Sequence, residues 1–133
     1  MKLIKLIFLL LIIVSFGFGQ YGASVIADTD GDNTVQTVRA DRGTLLYVKA
    51  HNITTTDCWI QFYDESGAIT VGTTETVMPC LVPAGNLDVY GSTVVSLPEG
   101  GVLFENSIKY ACTTTATGNG DPATGLILFM VYR

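Results

Sequence analysis

A single antiparallel β-sandwich of about eight strands, jelly-roll-like in layout, is the all-β fold this sequence predicts. Three observations lead there. Short runs rich in Val, Ile, Thr, Tyr and Phe recur from residue 24 to residue 132, divided by Gly, Asn, Asp and Pro clusters. No segment beyond residue 20 holds apolar residues at i, i+3, i+4 and i+7 for three turns, so a long amphipathic helix is not expected. Strand and helix patterns never alternate, which argues against a doubly wound sheet.

The elements follow in order. Ser24 to Ala27 reads as a first strand, and Asp28-Thr-Asp-Gly-Asp-Asn33 as the turn after it. Thr34 to Ala40 is next. Thr44 to Asn52 alternates, with Leu46, Val48 and Ala50 on one face and Leu45, Tyr47, Lys49 and His51 on the other. Cys58 to Asp64 sets Cys58, Ile60 and Phe62 against Trp59, Gln61 and Tyr63. Glu65-Ser66-Gly67 turns the chain, and Ala68 to Val71 reads as a short strand. Thr76 to Val82 contains Pro79, which cannot donate to a ladder, so this strand belongs at an edge. Ser92 to Leu97, closed by Pro98-Glu99-Gly100-Gly101, and Val102 to Phe104 are short strands. Ser107 to Thr115 alternates Ile108, Tyr110 and Cys112 against Lys109, Ala111 and Thr113. Asn119-Gly120-Asp121-Pro122 then turns it, as a hairpin, into Gly125 to Tyr132. That last strand is apolar on both faces and belongs in the middle of a sheet.

The N-terminus predicts export. Lys2 and Lys5 precede an apolar run from Leu6 to Val14, and Gly17 and Gly19 supply small residues before a cut after Gly19. Ser15, Gly17, Gly19 and Gln20 interrupt the run before it reaches a membrane-spanning length. Residues 1–19 are thus read as a signal peptide and 20–133 as the domain, with membrane contact only through the leader if it stays uncleaved. The predicted location is secreted, extracellular or periplasmic. The chain of 133 residues carries a net charge of −5, and loss of Lys2 and Lys5 would take this to −7. Such a surface repels phosphate backbones, so nucleic acid is not an expected partner.

Few residues offer chemistry. His51 is the only histidine, and no Ser or Cys stands in a nucleophile-elbow context, so no catalytic residue is assigned. Cys58, Cys80 and Cys112 are spaced too widely for the close ligand pairs of a structural zinc site. One bridge with one free thiol, an intermolecular bridge and three buried thiols all stay open. Within the first option Cys58 with Cys80, on successive long strands, is the preferred pair. Asp28, Asp30 and Asp32 alternate as calcium ligands do, but position 12 of that loop is Arg39 and position 6 is Asn33. A solvated turn explains them as well, so no metal and no cofactor is assigned. Asn52-Ile53-Thr54 is a glycosylation sequon. Trp59, Tyr63 and Tyr47 could form an aromatic surface for a sugar or a partner, or fill a second buried layer.

Ordered pieces of the chain bear a family resemblance: Gly43-Thr-Leu-Leu-Tyr47, Asn52, Ile60-Gln-Phe-Tyr-Asp64, Val71-Gly-Thr-Thr74, Tyr110 to Gly118 and Ile127 to Tyr132. Together they resemble small all-β virion structural or tail-associated proteins of tailed phages, over residues 38–133. The resemblance implies a non-catalytic virion protein. The export signal and the three cysteines depart from the pattern and point to an exported relative. The expected function is a secreted or virion-associated structural or adhesion module. Its expected partners are copies of itself or other surface or virion proteins. The alternative is a small secreted module binding calcium through the Asp28 loop or carbohydrate on the Trp59 face.

Overall fold

A computed structural model describes residues 22–85, 91–122 and 125–133, and these form nine strands and no helix. The strands are β1 (Ser24–Gly31), β2 (Gln36–Arg39), β3 (Gly43–Asn52), β4 (Cys58–Tyr63), β5 (Met78–Val82), β6 (Gly91–Val94), β7 (Val102–Phe104), β8 (Ile108–Thr113) and β9 (Leu126–Tyr132). One sheet runs β1-β9-β3-β6, with β7 also on β3; the other runs β2-β8-β4-β5. The predicted leader, residues 1–19, lies outside the described residues.

The pairing is nested. β1 pairs with β9, β2 with β8, β3 with β6 and β7, and β4 with β5, all antiparallel. That is one long hairpin, turned between β4 and β5 and wrapped so that β3 meets β9 and β4 meets β8. This is jelly-roll topology. β6 and β7 are two halves of one interrupted edge strand, since both lie antiparallel on β3, at Lys49–Asn52 and at Gly43–Leu45. Pro98 to Gly101 loops out between them. At Gly101 φ is +88°, and a Cβ there would stand 2.3 Å from the Leu45 carbonyl oxygen, so only glycine brings the chain back to β3.

The core lies between the sheets. Phe62 and Tyr110 of one sheet and Phe104 of the other meet there, with ring centroids 6.3 Å apart in both contacts to Phe62. Leu45, Val48 and Ala50 are all buried, although strict alternation assigns Leu45 to the face opposite Val48 and Ala50. A β-bulge reconciles them. Against β9, Leu45 pairs with Tyr132 and Tyr47 with Val131, so Leu46 is an extra residue and reverses the parity of the strand.

Other expectations change as well. β1 continues through Asp28 to Gly31, where a turn was expected, because this edge strand has one side free and tolerates polar residues. Ala68 to Val71 is not a strand. The chain turns there instead, with Thr73 and Thr74 N–H both donating to Thr70 O. β8 and β9 do not form a hairpin: they lie in different sheets, so the chain crosses from one sheet to the other between them. β5, with Pro79, is an edge strand, and β9 lies between β1 and β3.

Candidate functional site

The three cysteines are free thiols buried in the core. Cys58 faces Val82 across β4 and β5, while Cys80 and Cys112 flank Ile60 from its two neighbouring strands. Cys58 and Cys80 are therefore diagonal neighbours, a relation of about 7–8 Å that exceeds the usual Cα separation of a disulfide. Burial pushes the Cys80 thiol up to about 11. It also raises Cys58, against hydrogen bonds from Thr54 and Asn52, and Cys112, where Asp28, Cys58 and Asp32 add to the effect. Thiols held protonated in this way are poor nucleophiles and poor metal ligands.

Asp28, Asp30 and Asp32 do not converge on a common point. Asp28 accepts from the Tyr110 hydroxyl at 2.5 Å and from the Asp30 N–H at 3.0 Å. Asp32 accepts from the Thr34 N–H at 2.8 Å, and its carbonyl takes the Cys112 N–H at 2.7 Å. Asn33 Nδ2 donates to Asn119 O at 2.9 Å. The segment is a clasp joining β1 to β8 and to the 119–121 loop. Burial, then the bond to Asp28 and its charge, raise the Tyr110 hydroxyl, so it remains a donor. Among the described residues no three His, Cys, Asp or Glu side chains are placed to hold a metal ion.

The sequon also has a structural role. Asn52 is fully buried; its amide donates to Thr56 O at 2.8 Å and Val82 O at 3.2 Å, and its Oδ1 accepts from Thr54 N at 2.8 Å and Thr54 Oγ1 at 2.7 Å. In the folded domain this nitrogen is not accessible to a glycan donor. His51 is half-buried on β3, opposite Ile127 of β9 and Ser92 of β6. The three aromatic residues do not make one surface. Tyr47 lies on the five-stranded sheet, edge-on to Phe129 at 6.4 Å, while Trp59 and Tyr63 belong to the other sheet and Tyr63 is fully buried.

The middle of the outer face of the four-stranded sheet is covered, while Pro79 and Leu81 at its β5 edge stay exposed. Gln61, Tyr63, Ala111 and Thr113 stand opposite the core-facing positions, yet all four are fully buried. Gln61 organises the cover. Its Nε2 faces Thr113 Oγ1 at 2.9 Å, Thr115 O at 3.1 Å and Gly118 O at 2.9 Å, and its Oε1 accepts from Tyr63 OH at 2.5 Å. Thr113 Oγ1 in turn donates to Thr115 O at 2.7 Å. The loop 114–119 is thereby fixed over β8 and β4. Loop 64–77 approaches it at Gly72, where φ is +82° and a Cβ would lie 3.2 Å from Gly118 and Asn119 atoms. Between the loops is a cleft of about 210 Å³ lined by Gln61, residues 72–76 and Thr117. A second recess of about 160 Å³, reaching Asp64 and Val77, shares Glu75 and Thr76 with it. No sequence signal marked Gln61 as the centre of this cover; only its position on a strand face was legible.

Asp64 anchors the far end of loop 64–77. Its carboxylate accepts from the backbone N–H of Glu105 at 2.8 Å, Asn106 at 2.7 Å and Ser107 at 3.2 Å. Burial works to raise its pKa, but these donors together outweigh it and hold the carboxyl below its ordinary value of 3.8. The folded state therefore binds this proton less tightly than the unfolded chain does. The stabilisation is complete above the unfolded pKa and is lost as pH falls through the folded one. Asp64→Asn is expected to lower stability at pH 7 by about 1–2 kcal/mol. Denaturant melts should show the gap from wild type closing below about pH 4; a gap that is constant with pH would remove the carboxylate from this role.

The outer face of the five-stranded sheet, by contrast, is not covered by any of the described residues. Directly opposed residues share a face. Two rows, Ala27–Phe129–Lys49–Val94 and Val25–Val131–Tyr47, run across it, with Leu103 opposite Thr44 beside them. Four of the six large apolar side chains that stand exposed among the described residues are here: Val25 at 57%, Val94 at 56%, Leu103 at 47% and Phe129 at 42%.

Comparison with known proteins finds no matching family model, no similar curated protein and no similar solved structure.

Proposed function

We propose that this chain is a non-catalytic structural or adhesion module, exported or virion-borne, that works by associating with copies of itself through the outer face of its five-stranded sheet. The observation that carries this reading is the apolar surface on Val25, Val94, Leu103 and Phe129. Exposed apolar side chains on one sheet face cost free energy in water and favour burial in an assembly. Symmetric self-association covers such a face with itself. The buried, protonated thiols support the absence of covalent chemistry. The uncleaved or cleaved leader and the phage-like segments support the exported or virion setting.

Sedimentation velocity of the domain at about 50 µM, a concentration suited to weak interfaces, is expected to show a defined oligomer. Phe129→Lys, which places a charge in the middle of the face, should shift it to monomer and leave the melting temperature of the isolated domain nearly unchanged. A wild-type protein that stays monomeric would sink the proposal.

A further inference from the structure

We propose that the cleft over the other sheet binds a neutral, ring-shaped polyol, a sugar residue of a glycan. Four of the cleft's polar lining side chains are not consumed by the fold, unlike those of Gln61 and Thr74. Among the described residues, the side chains of Thr73, Glu75, Thr76 and Thr117 have no hydrogen-bond or ion-pair partner, and all four residues line one cleft of about 210 Å³. The set is selective. No Lys or Arg lines either recess, so an anion gains nothing there. A single carboxylate lines the larger recess, too few charged oxygens for a divalent cation. Three hydroxyls that donate or accept, beside one carboxylate that only accepts, match a ligand rich in O–H groups. The threonine methyls, the Gly72 backbone and Val77 (51% exposed) offer apolar contact for the C–H faces of a ring.

The site is also rigid where it needs to be. Gln61 forms the floor with its amide already committed to Thr113, Thr115, Gly118 and Tyr63, so binding does not have to order it. The contact at Gly72 fixes the spacing of the two loops. The second recess, beyond Glu75 and Thr76, leaves room for a neighbouring sugar unit. The site is on the opposite sheet from the association face, so it is independent of that reading. An oligomer would present several copies of the cleft, and weak single-site binding would add up through multivalency.

The test is a ¹⁵N–¹H NMR titration of the whole domain with D-glucose, D-galactose, D-mannose and N-acetyl-D-glucosamine, each to about 50 mM, with methylammonium as the cationic control. The expected result is saturable shifts at the amides of residues 72–77 and 117–118 with at least one sugar. Glu75→Ala and Thr117→Val should each reduce that affinity fivefold or more, while melting temperature and oligomeric state stay at the wild-type values. The proposal is overturned if no sugar gives saturable shifts there, if methylammonium alone does, or if both variants bind as wild type. Binding with a monomeric wild-type protein would uphold this site and reject the association reading, and the converse result would do the reverse.

Discussion

Gln61→Ala should lower the stability of the domain by about 3–4 kcal/mol. That is a large part of the roughly 5–15 kcal/mol typical of a domain. The reason is the number of groups that depend on one amide. Without it the Tyr63 hydroxyl, itself fully buried, loses its acceptor, the Gly118 carbonyl loses its donor, and the Thr115 carbonyl keeps only the Thr113 hydroxyl. Burial raises the pKa of Tyr63, so at neutral pH the hydroxyl stays protonated and must find a partner. Gln61→Met fills much of the same volume and removes only the polar end. Comparing the two by urea denaturation separates packing from hydrogen bonding: Met should recover the cavity part and leave about 2 kcal/mol of loss. Both variants should free the loop 114–119, seen as faster amide exchange at the Thr114 N–H, which donates to Gly120 O at 2.9 Å. A stability change under 1 kcal/mol for Gln61→Ala would mean that water replaces the amide easily.

Asn52→Ala is expected to cost about 3 kcal/mol, equivalent to a fall of about 15 °C in melting temperature for a domain of this size. Asn52 ties the end of β3 to both the 53–57 loop and the end of β5. Two further bonds converge there: Ala84 N–H donates to Asp57 Oδ1 at 2.7 Å, and Gly85 N–H to Thr54 O at 2.8 Å. Asn52→Asp, nearly isosteric, replaces two donated bonds by a buried charge facing two carbonyl oxygens and should be at least as damaging. Thr54→Ser keeps both the sequon and the hydroxyl that donates to Asn52, and should melt within about 2 °C of wild type. Thermal melts that put Asn52→Asp level with wild type would show that the side chain is hydrated rather than clamped. The residue that reads as a modification signal is thus a fastener for the loop between β3 and β4.

These two positions show where sequence reasoning reached and where it stopped. Gln61 was placed on the face opposite Ile60 and Phe62, beside Trp59 and Tyr63, where a second buried layer was one expectation, but nothing in the sequence showed which segments form that layer. The burial of Gln61 depends on loops 64–77 and 114–119 folding over it, segments about fifty residues apart in the chain that approach each other at Gly72. Gly72 of the first loop and Gly118 and Asn119 of the second are where they meet. Leu45 was put on the wrong face because an inserted bulge residue leaves no mark in an alternating pattern. Asp28, Asp30 and Asp32 looked like a turn because acidic residues are rare in strands, yet β1 is an edge and tolerates them.

Period-two alternation, the absence of a helical period, and the placing of Pro79 and Gly are local properties, and they alone determined that the chain is an all-β sandwich with β5 at an edge and β9 in the middle. Which strand pairs with which, and hence the nested jelly roll, the broken strand β6–β7 and the crossing from β8 to β9, depended on contacts between distant segments. The covered face with its cleft and the bare face with its apolar rows were decided at the same level. A strand of either face shows the same alternation in sequence; among the described residues, the loops that fold back over the four-stranded sheet distinguish them.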